Sequence, residues 1–254
     1  MMGFLLGAFF VGLAVGSFLN VCIVRLPAGQ SIVSPPSHCP HCGTPIRPRD
    51  NIPLLSYVLL GGRCRACRSR ISVRYPVVEA LTGVLFAITA YWVGPVPQML
   101  LYWAFLSALI VITFIDLDHQ IIPDAISVPG IVVGVLAAVL GYGPSWSDSV
   151  IGALVGGGIL YSVAVGYHAL TGREGMGGGD IKLLAMIGAF LGWRGVLVTL
   201  IFGSLTGSAI GMAVIALRGG DSRVPIPFGP FLSLGAAVAL FVGEPLLEWY
   251  LHLL

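Results

Sequence analysis

Charge is what this chain has least of. Only 9% of its 254 residues are charged, against about a quarter in a soluble domain of ordinary composition. With 57% hydrophobic residues and a mean hydropathy of +0.96, the deficit excludes a soluble domain and leaves a polytopic helical membrane protein. A membrane β-barrel is excluded as well, because its signature is short alternating segments and this chain has long apolar runs. Other absences narrow the chemistry. There is no HExxH, and the five histidines (38, 41, 119, 168 and 252) form no metalloprotease constellation. No GxSxG nucleophile turn is present. No strand leads into a glycine-rich nucleotide loop, so a Rossmann-type cofactor domain is ruled out. Internal repeats and low-complexity tails are missing too.

What is present is a series of apolar runs. Windows of about 20 residues pick out eight candidate spans, at 3–24, 76–93, 97–116, 125–142, 149–170, 181–193, 195–217 and 228–252. The sixth is short and rich in Gly and Ala, so it is expected to tilt or to be shielded by neighbours. The first has no basic residue ahead of it and Arg25 directly after it, the reverse of a cleavable signal peptide; a retained span with its N-terminus outside is expected. Eight spans then place Arg25, Arg47, Arg49, Arg63, Arg65, Arg68, Arg70, Arg74, Arg173, Lys182, Arg218 and Arg223 inside and only Arg194 outside, a strong positive-inside signal. The small net charge of +2 hides this asymmetry, which concerns the membrane and not a nucleic acid.

The expected division is a first transmembrane helix (1–26), a polar cytoplasmic loop (27–75) and a seven-helix membrane domain (76–254). The loop is rich in Pro, Arg and Cys and too poor in apolar residues to build a core. Cys39-Pro-His-Cys42 and Cys64-Arg-Ala-Cys67 supply a staple: two CxxC turns at this separation match a closed four-thiolate zinc site. Disulfides are the alternative, disfavoured in a reducing cytosol. His38 and His41 read as bystanders, and Cys22 as a small buried packing residue. Among the 35 glycines, Gly152, Gly156, Gly157 and Gly158 lie in one span, and Gly203, Gly207 and Gly211 recur every four residues, as close helix packing requires.

Ionisable groups at membrane depth mark function by default. Asp180 follows Gly175-Met-Gly-Gly-Gly179 at the head of the sixth span, where it caps free helix amides or does chemistry. The glycines allow unusual backbone angles and close approach of another chain. The third span ends in Phe114-Ile115-Asp116-Leu117-Asp118-His119, with Asp124 at the start of the fourth. On a continuing helix Asp116 and Asp118 point about 200° apart, so only one can face Asp180. Asp116 is the deeper and is preferred, with Asp118 second; Asp124 reads as an N-cap. The topology puts both acidic clusters at the cytoplasmic face. Lys182 is close enough to act on a carboxylate. Glu79, at the entrance of span two, is expected to pair with Arg74 or Arg70, or alternatively to bind a substrate amine; Asn20 is expected to bond a neighbouring helix.

Gly177-Gly178-Gly179-Asp180 resembles the GxGD signature of intramembrane aspartyl proteases. Joined to Phe114–Asp118, Ile122-Pro123-Asp124 and the double CxxC loop, the chain resembles the type IV prepilin peptidases. The likeness runs through Gly16-Ser17-Phe18-Leu19-Asn20-Val21, Asp50-Asn51-Ile52-Pro53 and Arg74-Tyr75-Pro76-Val77-Val78-Glu79. It implies an enzyme of the bacterial inner membrane with two activities on prepilins or type II secretion pseudopilins. One cuts a short basic leader after Gly at the cytoplasmic face. The other methylates the new N-terminal amine with S-adenosylmethionine. By position it implies Asp116 and Asp180 as the catalytic pair, Cys39, Cys42, Cys64 and Cys67 as zinc ligands, and Gly62 and Arg63 in methyl transfer. The alternatives are a peptidase without methyl transfer, or a transporter or assembly scaffold with an ion path.

Overall fold

The computed structural model describes residues 1–173, 175–217 and 226–252, so Arg218 and Arg223 of the charge tally lie outside the described residues. Among the described residues there are helices, turns and two isolated β-bridges, with no β-strand. Six helices are long and apolar enough to cross a membrane, which makes the chain a multi-pass membrane protein. The helices are α1 (Met2–Arg25), α2 (Leu55–Leu59), α3 (Arg74–Val93), α4 (Pro97–His119), α5 (Asp124–Val139), α6 (Trp146–Thr171), α7 (Gly178–Leu217) and α8 (Gly229–Leu251). A 3₁₀ turn spans Pro48–Asp50. The chain forms two compact units, Met1–Val111 and Ile112–Leu254.

In the first unit α1 lies against α3 with almost no side chain between them. A Cβ on Gly12 would sit 2.7 Å from Gly83 Cα, and one on Gly16 would sit 2.7 Å from Glu79 Cα. Where backbones meet this closely only glycine fits, and dispersion replaces the hydrophobic effect as the attraction between helices in lipid. Asn20 bonds the neighbouring helix as expected, its Nδ2 donating to the Tyr75 carbonyl at 3.2 Å. Farther along, Trp103 stacks on Phe86 at 4.5 Å between ring centroids and donates its indole N–H to the Phe86 carbonyl.

The second unit is organised on α7. The sixth and seventh apolar runs are its two arms, two helical stretches separated by a kink at Gly192, whose backbone takes φ 70° and ψ 177°. The first arm, 178–191, is about 21 Å long at 1.5 Å per residue, well short of a 30 Å hydrocarbon layer. Its neighbours shield it, as its composition suggests: Leu183, Leu184, Met186, Ile187 and Ala189 are fully buried. The 16-residue α5 lies along the same arm, with Gly134 against Ala189 and Phe190. On the other side, a Cβ on Gly152 or Gly156 of α6 would collide with the Gly188 and Leu184 carbonyls. The Gly203/Gly207 stripe faces Phe231 of α8, at 3.1 and 3.2 Å from a built Cβ. The tightest approach is thus at α6–α7, and the stripe with the more regular spacing makes the looser contact.

A pair of neighbouring substitutions separates these roles. Gly156→Ala pushes a methyl into the Leu184 backbone and is expected to destabilise the protein by about 1–3 kcal/mol. Gly158→Ala, with nothing within 4 Å of its new methyl, is expected to be neutral or to stabilise by up to about 1 kcal/mol through helix propensity. Unfolding in detergent, compared for the two variants, reads the difference.

Candidate functional site

The second unit holds an acidic cavity of about 260 Å³, lined by Asp116, Gln120, Ile121, Ile122, Asp124, Gly177, Gly178, Gly179 and Asp180. Asp116 arrives on the last turns of α4, which stays helical through His119, so Asp116 and Asp118 do face apart. Asp116 is buried, and Asp118 is exposed and does not line the cavity. The helix is closed by Gln120, which takes φ 55° while its N–H donates to the Asp116 carbonyl at 2.9 Å. A left-handed non-glycine residue costs about 1–2 kcal/mol, and such costs collect at functional sites. The turn sends Ile121 and Ile122 across the head of α7.

Asp180 sits in the first turn of α7, half-buried, with its carboxylate on the cavity. The glycines before it work differently from the expectation of unusual backbone angles: none of Gly175, Gly177, Gly178 and Gly179 has a positive φ. What matters is close approach, and the segment that approaches is the chain's own 121–122 loop. A Cβ on Gly179 would lie 2.8 Å from Ile122 Cβ. Any side chain there would push the Asp116 loop away from Asp180.

One expectation needs correcting. Asp124 is not an N-cap, since that position is Pro123 and Asp124 is the first residue of α5. Its carboxylate instead accepts two contacts from the Lys182 ammonium, each at 2.7 Å, an exposed clasp between α5 and α7. Such a pair is worth at most about 1 kcal/mol, and it gives Lys182 a structural partner. Glu79 in the first unit accepts the Leu54 N–H at 2.9 Å, a bond that neither of its expected roles includes.

Sequence reasoning missed Gly229. Its N–H donates to Asp116 Oδ2 at 2.9 Å, and a built Cβ would stand 2.6 Å from that oxygen. The signal available was a glycine-proline pair opening an apolar helix, which reads as an ordinary helix start.

The first unit carries the cysteines. The Sγ atoms of Cys39, Cys42, Cys64 and Cys67 lie within 4.8 Å of one another, and all four are free thiols. Each pair sits in a small turn of the same design. Cys39 N–H bonds the Thr44 carbonyl and Cys64 N–H the Ser69 carbonyl, and bridges join His38 to Pro45 and Arg63 to Arg70. The residue four places after the first cysteine is left-handed in both, Gly43 at φ 69° and Arg68 at φ 61°. Cys39 and Cys67 sulfurs are 3.8 Å apart, too far for a disulfide and close to the ~3.8 Å edge of a tetrahedron with 2.3 Å zinc–sulfur bonds. The donor set therefore fits zinc. Cys39 is already poised as a ligand: the Cys42 and His41 amides hold its thiol down to about 6. Asp50 clamps the second turn through a two-pronged pair with Arg65, 2.7 Å at its shortest, and the guanidinium holds its carboxyl below the usual range. Gly62, at φ 65°, packs beneath the Tyr57 hydroxyl, 3.0 Å from a built Cβ, immediately before Arg63.

Fold and sites together define a multi-pass helical membrane protein with a carboxylate-lined cavity and a four-cysteine cluster that could hold a metal ion. Two family models match it, the bacterial peptidase A24 N-terminal domain over residues 10–93 and the type IV leader peptidase family over residues 103–212. The chain belongs to the type IV leader peptidase family. It is 41% identical over 271 residues to the prepilin leader peptidase/N-methyltransferase of Aeromonas hydrophila, covering 96% of this chain and 92% of that protein. With the protein of the same name from Pseudomonas aeruginosa it shares 39% over 278 residues, covering 99% and 94%. With that of Burkholderia pseudomallei it shares 36% over 265 residues, covering 94% and 85%. No solved structure matches.

Two outcomes check these sites. Gly229→Ala, which crowds Asp116 without touching its chemistry, is expected to lower leader cleavage at least about tenfold with the protein still folded by gel filtration. One metal ion per chain is expected by elemental analysis, lost in Cys39→Ser. Acid should also release it, at a pH below the roughly 6 of the metal-free Cys39 thiol, because protons must displace the metal from the sulfur.

Proposed function

We propose that the chain removes the leader of type IV prepilins or type II secretion pseudopilins with Asp116 and Asp180 as an acid–base pair, and then methylates the exposed amine. Leader cleavage and N-methylation are what membership of this family carries. The assignment to two side chains rests on one observation: carboxylates from α4 and α7 line a single cavity, brought there by the Gly179–Ile122 contact.

Two carboxylates sharing a small cavity cannot both ionise cheaply, so one proton serves the pair. The ionised member takes a proton from water as its oxygen attacks the scissile carbonyl carbon. The protonated member gives its proton to the carbonyl oxygen. When the tetrahedral adduct collapses, the C–N bond breaks and the proton taken from water passes to the leaving amine. The Gly229 N–H keeps the Asp116 carboxylate from rotating during these transfers. A water occupies about 30 Å³, so the cavity has space for a peptide bond and the attacking water.

The division of labour follows the three-part reading of the chain: 1–26 an anchor, 27–75 the methyl-transfer segment, and 76–254 the peptidase. Cys39, Cys42, Cys64 and Cys67 would hold a zinc ion that is closed to substrate and acts as a clip. Gly62 and Arg63, in the turn entering the second knuckle, are placed by that clip and contribute to the S-adenosylmethionine or substrate-amine site; the cofactor supplies the electrophilic methyl group. Prepilin or pseudopilin and membrane lipid are the partners. The charge asymmetry supports an inner-membrane setting with the active site at the cytoplasmic face.

The test is uncoupling. Asp180→Asn is expected to reduce leader cleavage at least about a thousandfold while methylation of a pre-cleaved pilin continues. Gly62→Val, which meets both a left-handed backbone and the Tyr57 ring, is expected to do the reverse. Mass spectrometry reads leader and methyl group separately. Loss of both activities in either variant would remove the division of labour.

A further inference from the structure

The 27–75 segment is the polar part of the chain, yet it displays large apolar side chains. Ile52 is 46% exposed, Leu55 50%, Val58 73% and Leu59 74%. They are not scattered. Leu55 and Leu59 are four apart, on one face of the short helix α2, with Val58 beside them and Ile52 in the turn before it. The same segment carries Arg47 and Arg49 before this helix and Arg63, Arg68 and Arg70 after it, all exposed, besides Arg65, which pairs with Asp50. Over the whole segment seven arginines face one acid, Asp50, a net charge of +6, or +4 with a zinc ion held by four thiolates.

The height of the tip is fixed by a bond already described. The Leu54 N–H, at the residue that turns the chain into α2, donates to Glu79 Oε2 at 2.9 Å. Glu79 is the sixth residue of α3, a helix long and apolar enough to cross the membrane. At 1.5 Å per residue it is about 7.5 Å inside that helix's polar end. The buried Ser56 hydroxyl pins the same turn from within: it receives the Ile52 N–H at 2.9 Å and donates to the Arg49 carbonyl at 3.1 Å. The loop therefore folds back to the level at which its own neighbouring helix enters the bilayer, with its apolar face outward.

From this placement we infer that α2 is an interfacial anchor: Leu55, Val58 and Leu59 enter the headgroup layer of an anionic phospholipid membrane while the flanking arginines bind its phosphates. An apolar face framed by basic residues is the pattern that binds such surfaces. The occupant is lipid and not a protein helix, because the strongly basic segment is the complement of a dense anionic surface and the tether sets the tip at bilayer height. The inference rests on the membrane setting of the helices and not on the peptidase assignment.

The experiment places the photo-reactive residue p-benzoylphenylalanine at Leu59 in the full chain, held in nanodiscs of equal parts phosphatidylglycerol and phosphatidylcholine. Thr44, exposed in the first knuckle, carries it in a control. The expected result is a lipid adduct by intact mass at position 59 and none at 44, with phosphatidylglycerol taken several-fold over phosphatidylcholine and that preference lost at high salt. Absence of a lipid adduct at 59, with the protein intact, would overturn the inference. So would capture of added prepilin in place of lipid, or equal use of the two lipids at low salt. The readout needs no turnover, so it stands or falls separately from leader cleavage.

Discussion

A carboxylate at the end of an apolar helix has to be compensated, and the second unit is arranged around that requirement. Asp116 is buried at the foot of α4, and the amide of Gly229 at the head of α8 takes one of its oxygens. Leaving such an oxygen unpaired in a dry site would cost several kcal/mol. The bond therefore fixes two things together: where the carboxylate points and where α8 begins. It also explains why the residue must be glycine, since a methyl group there would occupy the place of the oxygen.

The rest of the scaffold brings the second carboxylate to the first. Glycines at α6–α7 let the short arm of α7 run against α6 backbone to backbone, and α5 covers its other side. The arm is too short to cross a bilayer alone and is held instead by its neighbours. Its first turn, with Asp180, meets the loop leaving Asp116 at the Gly179–Ile122 contact. Stability and function thus use the same residue type for one reason, the absence of a side chain. The first unit uses different devices, two hydrogen-bonded knuckles whose four cysteine sulfurs converge and an Asp50–Arg65 clamp, to order a segment that has no core.

Much of this was legible in the sequence because its signals are local or periodic. The apolar runs gave the helices, including a division of α7, which the runs put at Arg194 and the structure puts two residues earlier, at Gly192. The CxxC spacing anticipated the sulfur cluster, because each turn is self-contained. Burial of Asp116 over Asp118 followed from helical geometry together with the place of Asp116 directly after the apolar run. What escaped depends on distant segments. The Gly229 amide reaches Asp116 across 113 positions, and no composition or periodicity marks it. The Leu54 amide on Glu79 escaped too, because sequence shows neighbouring charges and cannot show a folded-back amide. Of the two uses expected of the glycines before Asp180, close approach holds, by a loop from elsewhere in the chain, and positive φ does not.

The central claim is that Asp116 and Asp180 act as one unit, and a double-mutant cycle on leader cleavage tests it most directly. The single variants Asp116→Asn and Asp180→Asn should each lose as much kcat/KM as the double variant, as groups that share one proton must. Losses that simply add, or a single variant retaining substantial cleavage while folded, would contradict the account.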